Sequence, residues 1–442
     1  MLYGLDFLYD INMRLNITPE LTNLQFSSLN ISKCNTIIES DYDYPIFYDF
    51  EQRIDHFSDS KAKFKQRYLH IDRFYQPYGP IFVILGGEWT PTSIEEEAPF
   101  VLEAAKRFNA TVFYLEHRYY GESLPFDEFN EESLKYLTTQ QALKDLKAFI
   151  RRMKPKYPGA KVILFGCSYP GMLVAWSRAT QHHLSDGGVA FSAPVVPGLF
   201  NREKHFHHMR QIIQATYPEC WNIVLNTIDH IKQFILTPEG RNQLNFEMNF
   251  CTPGLNASHL NITLIYQSII DLLLNNIWVD YQYISGPNCK KWDTTLTLLN
   301  VNNCSELCME LPEKPIYYSD FSRNMKAWIW QQCTEIGEID VIDKCTIQFG
   351  PKYNETFVGN ALNGLKQRYG TEKTFKATNL ILTYGTYDLW STSGYYETSN
   401  PTVYQIKVEG GLHCRVIGQS NNTKIQEAQE KIMNILEGWL KK

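Results

Sequence analysis

The sequence of 442 residues contains no apolar run approaching the roughly 20 residues that a helix needs to cross a bilayer. It also has no tract of lysine and arginine, and its net charge is −6. Nucleic-acid-binding domains usually carry clustered basic residues. We therefore expect no membrane span and no nucleic-acid partner, and we expect small or peptidic partners instead. The first ten residues lack a basic segment followed by an apolar core, so no signal peptide is recognisable there.

Cysteine pairs of the CxxC type are absent, although the chain has ten cysteines. Cys304 and Cys308 are not followed by histidines at the spacing that zinc sites use. We therefore expect no metal and no cofactor. Disulfide bonds formed in an oxidising compartment are the better interpretation. Asn-x-Ser/Thr acceptors favour a glycosylated secretory protein, and they begin at residues 16, 30, 109, 256, 261, 303, 354 and 421.

Short apolar runs alternate with helical patterns in the first half of the chain. The strand-like runs begin at residues 66, 80, 110, 162 and 188, and helical spacing covers 94–108, 139–153 and 172–181. This alternation predicts an α/β fold, in which helices cover both faces of a mostly parallel sheet. Strand patterns return at 380–384 and 404–408, and apolar spacing predicts a last helix over residues 425–440.

The middle of the chain has a different pattern. Its long helical stretches lie at 205–217, 221–235 and 268–281, and seven of the ten cysteines fall between residues 220 and 345. We interpret this region as an inserted helical cap. The predicted domains are residues 45–195 for the first part of the α/β domain, 196–345 for the cap and 346–442 for the second part.

The most informative segment is FGCSYPGM at residues 165–172, where an apolar strand leads directly into Ser168. A sharp strand-to-helix turn that raises a serine Oγ above the sheet is the nucleophile elbow of hydrolases that form an acyl-enzyme. Pro170 stands where the motif has a small residue, and it is compatible with the elbow if it lies in the first turn of the helix. An isolated Gly-x-Ser turn is also common at strand-to-helix junctions, so Ser168 alone does not establish the chemistry.

A serine hydroxyl needs a base to take its proton and a carboxylate to orient that base. Asp388 follows the strand at 380–384, and His413 follows the strand at 404–408. Alone, each is more often a turn former or a surface residue. The order Ser168, Asp388, His413 is that of the α/β-hydrolase fold, which places the acid and the base at the carboxyl ends of late strands. Their joint order therefore predicts a catalytic triad.

An oxyanion hole should accompany the triad, with backbone N–H groups that stabilise the tetrahedral intermediate. The first donor is expected from Tyr169, the residue after the nucleophile. The second donor is expected from the loop after the strand at 80–85, at Gly87 or Glu88.

Several segments resemble the S28 serine peptidases over the chain from about residue 45 to its end. They are FEQRIDHF at 50–57, LGGE at 85–88, EHRYYGESLPF at 116–126, YLTTQQAL at 136–143, SAP at 192–194, WIWQQCTE at 328–335 and YGTYDLWS at 384–391. The resemblance implies a secreted or lysosomal exopeptidase that cleaves short peptides next to proline, and homodimers occur in the family. It also implies that Met172 and Trp390 line a proline pocket, with core packing as the alternative for both. Glu88 is expected either to bind a substrate amino terminus or to structure its own loop.

The chain departs from the family pattern next to the predicted triad. The family usually has GGSYGG, NGxxDPW and GxHH in these segments, whereas this chain has Cys167, Pro170, Leu389 and Cys414 at four of the differing positions. A silent family member that binds peptides, or an esterase on the same fold, therefore stays an alternative. For Cys167 and Cys414 we expect two buried free thiols rather than a disulfide, because adjacent residues point apart in extended backbone.

Overall fold

A computed structural model describes residues 45–196, 202–216, 218–247, 323–336, 342–371, 373–395 and 400–441. The predicted helix at 268–281 lies outside these ranges. The described residues from 45 to 208 and from 323 onwards form one compact unit, and those from 209 to 247 belong to a second. The predicted domain boundaries at 195 and 345 stay predictions, and residues 323–336 pack within the first unit.

Within the described residues, eight strands form one sheet in the order β1-β2-β4-β3-β5-β6-β7-β8. The first two neighbour pairs, β1 with β2 and β2 with β4, are antiparallel, and the remaining pairs are parallel. The strands are β1 Phe47–Arg53, β2 Lys63–Ile71, β3 Ile81–Leu85, β4 Thr111–Leu115, β5 Val162–Cys167, β6 Gly187–Phe191, β7 Leu380–Gly385 and β8 Val403–Val408. This confirms the predicted mostly parallel sheet, and this strand order with one antiparallel second strand is that of an α/β hydrolase.

Helices cover both faces of the sheet. The helices of the first unit are α1 Ile94–Glu97, α2 Pro99–Phe108, α3 Glu131–Leu134, α4 Thr139–Met153, α5 Tyr169–Thr180, α9 Arg323–Gln331, α10 Ile342–Phe349, α11 Glu355–Tyr369 and α12 Thr423–Lys441. Side chains of α4, α5 and α11 form one apolar core, and those of α2 and α12 form the other. The five residues of β3, of β4 and of β6 are all buried, which is expected of strands covered on both faces.

Between residues 202 and 247 the structure describes three further helices. They are α6 Arg202–Thr216, α7 Pro218–Ile235 and α8 Pro238–Glu247. The helical patterns at 205–217 and 221–235 predicted the first two of them. In the second unit α7 packs against α8, and the guanidinium of Arg210 lies 5.9 Å from the ring centre of Trp221.

One predicted helix is divided. The sequence pattern predicts a single helix over 94–108, but α1 ends at Glu97 and α2 begins at Pro99. Ala98 between them has φ −140° and ψ 50°. A residue before proline is pushed out of the α region by the proline ring, so the break falls there.

Two kinds of feature are absent from the part of the chain that the structure describes. None of its helices is both long and apolar enough to span a membrane. No group of three or more histidine, cysteine, aspartate or glutamate side chains in that part is arranged to hold a metal ion.

Candidate active site

Ser168 lies at the turn between β5 and α5, in the strained backbone of an elbow. Its φ is 60° and its ψ is −128°, a conformation that a non-glycine residue keeps only when its surroundings hold it. Its N–H donates to the carbonyl of Phe191 at the end of β6, at 2.9 Å. A Cβ at Gly166 would lie 2.6 Å from the carbonyl carbon of Pro170, so the turn requires glycine there. Pro170 is the second residue of α5, where its missing N–H costs no helical hydrogen bond.

Asp388 and His413 form a buried pair at the ends of β7 and β8. Nδ1 of His413 lies 2.8 Å from Oδ1 of Asp388. The residues are 0% and 3% exposed. Oδ1 of Asp388 also accepts the N–H of Trp390 at 3.0 Å. A carboxylate held against Nδ1 keeps the proton on that nitrogen, so Nε2 is the nitrogen that can take a proton as a base.

A disulfide connects the two halves of this site. It joins Cys167, directly before Ser168, to Cys414, directly after His413, with a Cα–Cα distance of 5.8 Å. Since consecutive Cα atoms are about 3.8 Å apart, the Cα atoms of Ser168 and His413 lie within about 13 Å of each other. The prediction of two free thiols is therefore wrong. It assumed extended backbone at both positions, but φ is 60° at Ser168 and 58° at Cys414.

The predicted oxyanion donors lie around the same turn. Tyr169 is the first residue of α5, so its N–H has no acceptor within the helix. A Cβ at Gly87, in the loop after β3, would overlap the ring of Trp89 and lie 2.9 Å from Cγ of Pro170. The loop that carries Gly87 and Glu88 therefore packs directly on the elbow. Their role as donors stays a prediction.

The side chain of Tyr169 is fixed by a chain of hydrogen bonds. Burial lowers the pKa of His117 to about 4, so this imidazole is neutral and its Nδ1–H donates to the carbonyl of Arg118 at 2.7 Å. Nε2 of His117 then accepts from the Tyr169 hydroxyl at 3.1 Å. The Tyr169 oxygen accepts from Nε2 of Gln331 at 2.7 Å, and Oε1 of Gln331 accepts from the Tyr120 hydroxyl at 2.5 Å. The imidazole N–H and both tyrosine hydroxyls of this network have acceptors, and these hydrogen bonds hold the Tyr169 side chain in place.

Sequence reasoning did not identify this network. Its members come from three distant segments, EHRYYGES at 116–123, the elbow, and WIWQQCTE at 328–335. Two of those segments are among those that resemble the family, and this resemblance was the one indication in the sequence that they are functionally important. Their hydrogen-bond partners depend on tertiary contacts between residues as far apart as Tyr120 and Gln331.

The predicted substrate-contacting residues have different environments. Met172 is 3% exposed and lies in the apolar core on the α5 side of the sheet, as the packing alternative expects. Trp390 is half-buried, and its ring centre lies 6.1 Å from that of His413. Glu88 is also half-buried. Burial raises the pKa values of Tyr120 and Tyr169 well above their ordinary value, and the charge of Glu88 adds to both shifts. Trp390 and Glu88 therefore lie beside the candidate catalytic groups.

Glu335, the last residue of the WIWQQCTE segment, is a buried carboxyl group. Its Oε2 accepts the N–H of Thr139 at the start of α4, at 2.5 Å, and its Oε1 lies 3.7 Å from Nη1 of Arg368. A negative charge at a helix N-terminus is favourable, but burial opposes ionisation. Burial dominates and raises the pKa of Glu335 to about 7.

The raised pKa of Glu335 predicts a stability that declines as the pH rises. The ordinary pKa is 4.5 and the folded value is about 7, so the folded protein keeps a proton that the unfolded chain has already released between these values. This contribution to the free energy of unfolding is at most about 3 kcal/mol. It is fully present below pH 4.5 and is lost as the pH rises to 7. Between pH 4.5 and 7.5 the melting temperature of the wild type should decrease relative to that of Glu335→Gln, in which the other titrating groups, including His117, are unchanged. The exposed control Glu103→Gln should leave the slope unchanged, and an unchanged slope in both variants would contradict the prediction.

The fold and the site define the class. The strand order is that of an α/β hydrolase, and a buried histidine–aspartate pair lies at the same sheet edge as a strained elbow serine. The family model for serine carboxypeptidase S28 matches residues 52–310 and 339–432. The chain therefore belongs to this family and is a serine-type peptidase.

Curated relatives are named as serine proteases or as Pro-X carboxypeptidases. The Caenorhabditis elegans protein K12H4.7, named as a predicted serine protease, is 27% identical over 90% of this chain and 89% of its own length. The human lysosomal Pro-X carboxypeptidase is 27% identical over 84% of this chain and 82% of its own length, and the bovine enzyme is 28% identical over 86% and 84%.

Two solved structures that match most of the chain have lower sequence identity to it than these relatives do. An esterase of Pyrococcus furiosus is 13% identical with a TM-score of 0.39, over 90% of this chain and 91% of that one. A proline iminopeptidase of Mycobacterium smegmatis is 12% identical with a TM-score of 0.40, over 89% and 99%.

Proposed function

We propose that the chain is an exopeptidase that hydrolyses peptide bonds next to proline in short peptides, through an acyl-enzyme on Ser168. The observation that carries the proposal is the buried Asp388–His413 hydrogen bond of 2.8 Å, at the sheet edge where the strained elbow presents Ser168. Relatives named lysosomal Pro-X carboxypeptidase support the choice of proline.

The proposed mechanism assigns one role to each group. Nε2 of His413 removes the proton from Ser168 as Oγ attacks the carbonyl carbon, and Asp388 stabilises the imidazolium that forms. The N–H of Tyr169, with that of Gly87 or Glu88, binds the oxygen that becomes negative. His413 then protonates the leaving amine, and it activates the water that hydrolyses the acyl-enzyme.

The proposed proline pocket lies beside His413. The ring of Trp390 supplies a flat apolar surface 6.1 Å from the His413 ring, which suits the compact ring of proline. Met172 lies one turn after Ser168, whose carbonyl accepts the Met172 N–H at 3.0 Å, and its buried side chain would support the pocket from the core. Glu88 provides a negative charge that a substrate amino terminus can meet.

The proposal also covers the cellular location, the cap and the oligomeric state of the enzyme. We infer a glycosylated protein of the secretory pathway, in the lysosome or outside the cell, from the two disulfides of the described residues and from the lysosomal relatives. A helical cap over residues 196–345 would restrict access to chain ends, and a homodimer is compatible with the family.

Two alternatives to this proposal are a silent family member and an esterase on the same fold. A silent family member would bind peptides without turnover, because Cys167, Pro170 and Cys414 adjoin the catalytic groups. An esterase would use the same triad on acyl esters.

A matched set of substrates tests the proposal. Peptides with proline near each end, the same peptides with alanine in place of proline, and an acyl ester are incubated at pH 5 and pH 7, and the products are identified by mass spectrometry. We expect single cleavages next to proline and turnover about 10- to 100-fold slower with alanine, because a shaped apolar pocket discriminates on that scale. Enzyme pretreated with a fluorophosphonate serves as the control for contaminants. Turnover of the ester alone would establish the esterase, and peptide binding without turnover would establish the silent member.

A further inference from the structure

We propose that the disulfide between Cys167 and Cys414 is a positioning element of the active site, and that turnover requires it to be oxidised. The inference rests on the proposed function, since it assumes that Ser168 and His413 act together. Each half of the disulfide is the immediate neighbour of one of these residues. A movement of either cysteine therefore moves a catalytic group.

The loop that carries His413 is held to the sheet at β6 and β7. The carbonyl of Gly411 accepts the N–H of Tyr387 at 3.0 Å, and the N–H of Cys414 donates to Oγ of Ser192 at 3.0 Å. The Asp388–His413 hydrogen bond adds a third attachment on the β7 side. These attachments orient the histidine relative to the acid.

The nucleophile is on a different strand. Ser168 follows β5, which β6 separates from β7, and the disulfide spans that separation with a Cα–Cα distance of 5.8 Å. The disulfide thus sets the position of His413 relative to Ser168. The contacts of the His413 loop to β6 and β7 do not involve Ser168 directly. Proton transfer requires these two groups within hydrogen-bond distance, so a displacement of about 1 Å costs on the order of 100-fold in rate.

The backbone at Cys414 shows why a covalent link matters here. Its φ is 58°, in the left-handed region that favours glycine, asparagine and aspartate. Ser168, one residue from the other cysteine, has φ 60°. Conformations of this kind persist only when the surrounding structure determines them. Without the disulfide, Cys414 can rotate to negative φ, and that rotation turns the adjacent His413.

The disulfide is open to reduction from one side. Cys167 is 8% exposed, whereas Cys414 is half-buried. A dithiol reductant attacks as its thiolate at Sγ of Cys414 and expels the Cys167 thiolate, and its second thiol then displaces the Cys414 thiolate. Two electrons pass to the protein, which gains two thiols, and the reductant becomes a cyclic disulfide.

Three variants test the proposal, namely Cys167→Ala, Cys414→Ala and the double variant. All three should lower kcat by about 100-fold and leave KM within about threefold, because each breaks the same bond and none removes a pocket residue. Near-ultraviolet circular dichroism and urea midpoints establish that each variant is folded. A disulfide with only a structural role would lower the urea midpoint and leave kcat unchanged, and that outcome would overturn the proposal.

Reduction of the wild type tests the same point without a substitution. Turnover should fall as dithiothreitol exposes alkylatable thiols at Cys167 and Cys414, and it should return on reoxidation. The variant Cys333→Ala/Cys345→Ala, which lacks the other disulfide of the described residues, should keep this sensitivity, and the Cys167→Ala/Cys414→Ala variant should not respond. If the oxidised wild type neither cleaved peptides nor reacted with a fluorophosphonate, both the proposed function and this inference would be overturned. If the wild type were active and stayed active after reduction, only this inference would be overturned.

Discussion

Ser168→Ala and His413→Ala should each lower kcat for a proline-containing peptide by about four to six orders of magnitude, and the double variant should be no slower than the single ones. The two residues act in one step, because the serine is a nucleophile only when the histidine takes its proton. Removing either residue therefore removes the whole covalent route, and the remaining catalysis comes from binding and the oxyanion hole. Initial rates under saturating peptide, with product analysis by mass spectrometry, measure the effect.

Exposed residues of the same types provide matched controls. Ser60 and His183 are both exposed in the first unit, and Ser60→Ala and His183→Ala should keep wild-type kcat. A fluorophosphonate should label the wild type and both controls but not Ser168→Ala. Rate losses that multiply in the Ser168→Ala/His413→Ala variant would show that the two side chains act in separate steps, contrary to the proposed triad.

The sheet could be predicted because its strands are short, apolar and separated by helices. β3 and β4 are fully buried, so burial on both faces leaves a continuous apolar run in the sequence. β1 was missed for the opposite reason. It is an edge strand with a single buried residue, Gln52, and an edge strand whose polar side chains face water gives no such run.

The site was predictable to the extent that it follows chain order and strand ends. Asp388 and His413 lie in the segments that follow β7 and β8, and their hydrogen bond is consistent with that placement. The disulfide was not predictable in this way, because alternation of side chains applies to extended backbone and φ is positive at Ser168 and Cys414. The bond between Tyr169 and Gln331 joins residues 162 positions apart, and no local pattern records such a pairing.

A second large effect is expected at a buried ion pair in the EHRYYGES segment. Nε and Nη2 of Arg118 donate to the two carboxylate oxygens of Asp145 at 2.6 and 2.7 Å. The other three N–H groups of Arg118 donate to the carbonyl oxygens of Arg53, Ile54 and Tyr136. The side chains of Arg118 and Asp145 are 0% and 2% exposed. One guanidinium thus holds β1, the loop after β4 and α4 together.

Arg118→Met should lower the free energy of unfolding by about 3–5 kcal/mol. The substitution fits the space but removes the guanidinium from the buried Asp145 carboxylate, whose Oδ1 keeps Nε2 of His56 at 2.7 Å, and breaking a buried pair from one side costs about that much. Arg118→Lys should recover only part of the loss, because an ammonium cannot supply five donors in a planar arrangement. Urea unfolding followed by tryptophan fluorescence measures the difference.

The exposed pair Lys135–Glu132 is the control for charge alone. Its side chains are 50% and 83% exposed and its atoms are 2.7 Å apart, and Lys135→Met should leave the urea midpoint close to that of the wild type because water screens the pair. The double variant Arg118→Met/Asp145→Leu should be more stable than Arg118→Met, since it removes the buried charge that has lost its guanidinium partner. If Arg118→Met cost no more than Lys135→Met, the pair would not hold the three elements together. The position of His117, and with it the hydrogen bond to Tyr169, would then depend on the apolar core instead.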